Sequence, residues 1–238
     1  MTQELWLLAV TAAGLGFTHT LLGPDHYIPF VALAQVRHWR ITKTLLITLL
    51  CGLGHVGSSL ALGFGGVALG SAVFSIEAVE ALRGDLAAWL LIAFGLAYML
   101  WGLRQAYRRR PHTHPHVHVG EEGHAHTHTH ADEDHAHMHE AEGHSVTPWV
   151  LFIIFILGPC EPLIPLIVYP AVRGEPLVAT LVVASAFMGT TLLTMAGTVV
   201  ALFYGLSALP LRRLERYTPA LAGLAILLCG LAIKFLGF

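Results

Sequence analysis

Charge is what this chain has least of. Asp, Glu, Lys and Arg make up 12% of its 238 residues, about half the usual share of a soluble domain. The few basic residues form no patch interleaved with aromatics, and the net charge is −2; nucleic acid is not an expected partner. Cysteine is scarce as well. Cys51, Cys160 and Cys229 all lie in apolar runs and make no CxxC pair, which argues against a disulfide framework or a structural zinc site. The first residues, MTQELWLLAV, lack a basic n-region, and the apolar stretch runs on through His19 and Asp25. It reads as a retained helix rather than a cleaved signal peptide.

What fills the chain instead is long apolar runs, 55% of the residues being hydrophobic. A helix needs roughly 20 such residues to cross a bilayer. Six segments reach that length: Leu5–Val36, Ile41–Phe74, Leu86–Leu103, Pro148–Val172, Pro176–Leu209 and Thr218–Phe238. The first is interrupted by Gly23-Pro24-Asp25-His26. Between the third and fourth lies the one long polar stretch, residues 105–147, too poor in apolar residues to form a core. Its neighbours, residues 1–104 and 148–238, then carry three helices each. Ten of the thirteen Lys and Arg fall in the first, third and fifth loops: Arg37, Arg40, Lys43, Arg104, Arg108, Arg109, Arg110, Arg212, Arg213 and Arg216. The second and fourth loops hold Arg83 and Arg173, and Lys234 is expected to snorkel from the last helix. By the positive-inside rule the odd loops are cytoplasmic and both termini external, in a multi-pass protein of the cell membrane.

A repeat underlies this layout. Leu22-Gly23-Pro24-Asp25-His26 parallels Leu157-Gly158-Pro159-Cys160-Glu161. His55-Val56-Gly57-Ser58-Ser59 parallels Phe187-Met188-Gly189-Thr190-Thr191, and Gly95-Leu96-Ala97 parallels Gly230-Leu231-Ala232. The order is the same and the offsets are 135, 132 and 135 residues. Three helices per copy is an odd number, so the copies must insert in opposite orientation. The expected fold is an all-α integral membrane protein of six transmembrane helices, built as two inverted three-helix repeats with Gly/Pro-broken first helices. Such breaks at matching positions point to a transport site near the midplane. An enzyme is not expected.

The breaks also hold the polar residues. Proline has no amide hydrogen, so Pro24 frees the carbonyl of Thr20 and Pro159 that of Phe155. Freed carbonyls inside a membrane must face protein, water or an ion. Asp25 and His26 sit at the first break, Cys160 and Glu161 at the second, and His19 lies two helical turns before His26. His55 adds an imidazole in the middle of the second helix. Intramembrane ionisable groups are expected to be functional, and imidazole, carboxylate and thiolate together suit Ni²⁺, Co²⁺ or Zn²⁺ rather than Mg²⁺ or Ca²⁺. The bland readings are a packed core histidine for His55, a small hydrophobe for Cys160, packing glycines at Gly57 and Gly189, and an interfacial loop residue for His38.

Twelve of the sixteen histidines crowd into the linker: His112, His114, His116, His118, His124, His126, His128, His130, His135, His137, His139 and His144. Such tracts read as accessory metal capture; a disordered solvating loop is the alternative.

With His19-(x)5-Asp25-His26, Leu53-Gly54-His55 and the histidine-rich loop, the chain resembles the nickel/cobalt transporter superfamily, including nickel/cobalt efflux and urease-accessory-type membrane proteins. The best-known permease signature has four residues between His and Asp-His, where this chain has five. The resemblance loosely covers all six helices and implies metal recognition by His19, Asp25, His26 and His55. The motif Gly158-Pro159-Cys160-Glu161-Pro162-Leu163 also resembles the helix break of cytochrome c biogenesis-type thiol–disulfide carriers. Those need a cysteine in each repeat, and the first-repeat counterpart of Cys160 is Asp25, so the exchange lacks a partner thiol. A third option is a small-anion exporter, for sulfite or the like, which should place arginine at its centre; the expected centre has none. The resulting expectation is a divalent-metal transporter with efflux weakly favoured over uptake. Asp25, His26 and His55 would hold the metal, with His19, Cys160 and Glu161 contributing or gating. No tightly bound cofactor is expected; the partners are lipid, the transported ion and, as an open option, further copies of the chain.

Overall fold

The computed structural model describes residues 3–68, 73–108, 112–116, 124–128, 146–160, 162–172, 176–207 and 215–237. Helix α1 (Gln3–Leu22) ends at Gly23, a 3-10 turn covers Pro24–His26, and α2 (Ile28–Arg37) resumes with a proline in its first turn. Pro24 lacks the amide that would continue α1, while Pro29 stands where a helix tolerates it. Helices α3 (Ile41–Ala68) and α4 (Val73–Arg108) complete the first part. After the linker come α5 (Val146–Leu157) and α6 (Leu163–Val172), separated at Gly158-Pro159, then α7 (Pro176–Ser207) and α8 (Thr218–Leu236). Both proline-marked breaks fall where the sequence puts them.

Five of the described helices, α1, α3, α4, α7 and α8, are long and apolar enough to cross a membrane. The chain is an all-helical, multi-pass membrane protein in these spans. The remaining apolar segment is split into helices of 12 and 10 residues. At 1.5 Å per residue each reaches only about 15–18 Å, short of a hydrocarbon core about 30 Å thick. Large apolar side chains such as Trp6, Leu7, Trp89, Leu177 and Leu193 are exposed on the outer surface, where acyl chains take the place of water.

Several sequence expectations change. Helix α4 starts at Val73, not Leu86, and so takes in Glu77, Glu80, Arg83 and Asp85. Arg83 is therefore a helix residue rather than a loop residue. Charges need not end a membrane helix where they pair: Arg83 pairs with Glu80 and Asp85 with Lys234, while Glu77 is exposed near the helix start. Lys234 thus meets a carboxylate rather than simply snorkelling, and its ammonium lies 5.6 Å from the ring centre of Trp89. Within the linker, β1 (His112–His116) and β2 (His124–His128) pair antiparallel, with His112 opposite His128, His114 opposite His126 and His116 opposite His124. His118, His130, His135, His137, His139 and His144 lie outside the described residues.

Helix packing follows the small residues. Helices α4 and α8 run antiparallel in backbone contact. A Cβ on Gly95 would stand 2.4 Å from the Leu227 nitrogen, and one on Gly223 only 2.2 Å from the Met99 nitrogen. Gly16 of α1 faces the Phe187 carbonyl and Thr190 of α7, and Gly54 of α3 faces Phe152 and Ile156 of α5. Gly57 and Gly189, expected to be packing glycines, face open space instead. The buried core gathers around Phe30, Leu33, Leu91, Phe155 and Met195, with a second cluster around Val56, Leu163, Ile167 and Phe187.

Candidate metal centre

Three imidazoles from three elements converge. His19 comes from the last turn of α1, His26 from the 3-10 turn, and His55 from the middle of α3. The ring of His26 lies 4.8 Å from that of His19 and 5.1 Å from that of His55, edge-on to both, and His19 stacks over His55 at 6.2 Å. The break makes this possible, because the tight turn after Gly23 brings His26 back toward His19. A Cβ on Gly23 would lie 2.5 Å from the His26 ring, so the turn needs glycine there.

The hydrogen bonds set the tautomers. Nδ1 of His26 is 3.1 Å from the Gly23 carbonyl and 3.2 Å from Oδ1 of Asp25. Nδ1 of His55 is 3.3 Å from the Phe155 carbonyl. These partners only accept, so each Nδ1 carries a hydrogen, and in the neutral ring Nε2 keeps the lone pair, as in histidines oriented for a metal. The Nε2 atoms of His19, His26 and His55 are all buried and have no hydrogen-bond partner among the described residues. Each such atom costs about 1–3 kcal/mol, and a shared cation would satisfy all three.

One ligand nitrogen from each histidine lies within 4.8 Å of the other two. With metal–nitrogen bonds of about 2.0–2.1 Å, tetrahedral ligands stand about 3.4 Å apart. The trio is thus gathered but wider than a closed site, and needs to contract by up to about 1.4 Å. An all-imidazole set suits zinc, copper, nickel or cobalt and not magnesium or calcium.

A cavity of about 400 Å³ reaches the three histidines and Asp25, and both breaks line it through Asp25, His26, Gly158, Pro159 and Pro162. Its far end lies between the start of α4 and the end of α8, at Asp85, Lys234 and Gly237.

Of the residues singled out in the sequence, His19, His26 and His55 come together. Asp25 stands behind His26 rather than among the three nitrogens. Cys160 is fully buried among Val56, Leu163, Ile167 and Phe187 and lies outside the trio. Glu161 lies outside the described residues. Sequence reasoning alone misses Glu80 and Arg83. Glu80 is fully buried, and Arg83 reaches the second break, so the interior does hold an arginine. The signal is an acid and a base three residues apart on a helix, within the charged stretch Glu77–Asp85.

Fold and site together define a class: a multi-pass helical membrane protein with a buried histidine cluster able to hold a transition-metal ion. Comparison with protein-family models, curated proteins and solved structures finds no match to the chain.

Proposed function

We propose that the protein is a membrane transporter of divalent transition metal ions, nickel or cobalt in the first place, and that export is its direction. The observation that carries this reading is the set of three buried Nε2 atoms at a helix break, without a partner among the described residues. A polar cluster of that kind inside an apolar bundle is costly unless it binds something. The resemblance to the nickel/cobalt transporter superfamily supports the same reading.

The inverted repeat belongs to this proposal, and the packing supports it. The first crossing of each half lies against the second helix of the other, α1 on α7 and α5 on α3, and the third helices α4 and α8 pair with each other. That exchange is what a pseudo-two-fold axis between the halves produces. His55 and Phe187 are repeat counterparts, and Phe187 lies 6.4 Å from the His19 ring. Only the first half is equipped with imidazoles. Metal would reach the trio through the cavity and leave on the other side as one half rocks against the other.

The odd loops would face the cytoplasm of a cell-membrane protein, where the linker histidines collect metal for export. The thiol–disulfide alternative gains nothing from Cys51, Cys160 and Cys229, which are free and buried. The anion alternative gains little from Arg83, whose charge Glu80 neutralises.

The test is metal content of cells expressing the protein, measured by elemental analysis for nickel, cobalt, zinc and iron. Lower nickel or cobalt is the expected result; higher content would reverse the direction, and no change for any metal would sink the proposal.

A further inference from the structure

The second helix break removes one particular hydrogen bond. In an unbroken helix the amide of Cys160 would donate to the carbonyl of Ile156, four residues back. Here the two groups part, and α4 supplies a substitute for each. The Cys160 amide donates to Oε2 of Glu80 at 3.2 Å. The Ile156 carbonyl accepts from Nη2 of Arg83 at 2.5 Å and lies 2.9 Å from the hydroxyl of Ser58. Arg83 also donates to Glu80 and to Ser58 Oγ, and Ser59 Oγ donates to Glu80 at 3.3 Å. The ion pair therefore takes up both ends of the missing bond.

The neighbouring carbonyl, that of Phe155, is the one that holds Nδ1 of His55. Phe155 and Ile156 are consecutive, so a hold on the Ile156 carbonyl restrains the Phe155 carbonyl beside it, which also accepts from the Gly158 amide at 3.1 Å. The fit around the ring is close as well, since a Cβ on Gly158 would stand 3.0 Å from His55 Nδ1.

We infer that Glu80 and Arg83 are positioning residues for the metal site: as a splint across the α5–α6 break, they hold the Phe155 carbonyl against His55 and so aim its Nε2 at His19 and His26. Neither side chain belongs to the histidine trio. A buried ion pair is weak support for stability in itself, because desolvation offsets the attraction; its placement at the two separated groups is what assigns the role. The inference rests on reading the trio as a metal site.

The test is Co²⁺ titration of the purified full-length protein in lipid nanodiscs, followed by calorimetry and by visible absorption of the bound ion. Replacing Arg83 alone would strand a buried carboxylate, so the variant is the neutral pair Glu80→Gln/Arg83→Met. We expect Co²⁺ affinity to fall about tenfold, in the range seen for outer-shell partners of metal-bound histidines, with a changed visible spectrum. Arg83→Lys, which keeps the charge and a donor, should recover most of the affinity. A folded double variant with wild-type affinity and spectrum would overturn the inference, even if its thermal stability were lower. Should the double variant fail to insert, Ser58→Ala removes a contact to the same carbonyl: weaker Co²⁺ binding supports the inference and unchanged binding overturns it. Wild-type protein that binds no Co²⁺, or a His55→Ala variant that binds it as well as wild type, would bring down the metal reading itself and this inference with it.

Discussion

His55 and Phe155 meet across two helices, Nδ1 of the one donating to the carbonyl oxygen of the other at 3.3 Å. Pro159, four positions on, has no amide hydrogen to give this carbonyl; it accepts from the Gly158 amide at 3.1 Å and keeps its second lone pair for His55. One proline thus leaves room at an acceptor, and the acceptor orients a histidine whose ring lies 5.1 Å from that of His26 and 6.2 Å from that of His19.

His55→Ala removes one of three expected ligands. Since loss of an outer-shell partner already costs about 10–100-fold in affinity, loss of the ligand itself should weaken Co²⁺ or Ni²⁺ binding by more than about 100-fold. Titration calorimetry of the purified variant measures this, and unchanged affinity would remove His55 from the site.

Asp25→Ala leaves His26 Nδ1 with the Gly23 carbonyl as its remaining partner. The ring then loses a carboxylate that fixes its orientation and raises the basicity of Nε2. Metal affinity should fall about 10–100-fold with the helical content unchanged by circular dichroism. A larger loss, equal to that of a histidine variant, would mean that Asp25 binds the ion directly.

Cys160→Ser should keep more transport activity than His26→Ala. The thiol packs in an apolar cluster, whereas the imidazole belongs to the trio. Metal accumulation assays on the two variants decide it; a dead Cys160→Ser beside an active His26→Ala would revive the thiol–disulfide alternative.

Gly95→Ala forces a methyl into the backbone of α8, and overpacking of this kind costs typically about 1–3 kcal/mol. Gly189→Ala meets nothing within 4 Å and should be neutral. Thermal unfolding in detergent should separate the two variants clearly, and equal behaviour would mean that α4 and α8 do not approach so closely.

Ala81 lines the cavity and is exposed, whereas Ala34 is buried in the apolar core around Phe30. With the native cysteines replaced, Ala81→Cys should react with a membrane-impermeant maleimide added on the side of the α8 C-terminus, and Ala34→Cys should not. Co²⁺ should slow the first reaction. Labelling of Ala34→Cys instead would put the open face of the cavity on the wrong side.

The sequence alone determined the membrane class, the two proline breaks and the polar residues beside them. Those features are local: twenty apolar residues, a missing amide, an unpartnered carbonyl. It also pointed to His26 and His55, because an imidazole in hydrocarbon stands out wherever it occurs. Tertiary structure decided which of them meet. His19 joins the site as an equal because the turn at Gly23 folds the chain back, an angle that helical spacing does not encode. Cys160, next to the same kind of break, turns into an apolar cluster because α3 and α7 cover it there. In the sequence Arg83 read as a loop residue and Glu80 did not stand out. The role of the pair depends on a hydrogen bond between residues 80 positions apart, and only the packing of α4 against the second break brings those two residues together.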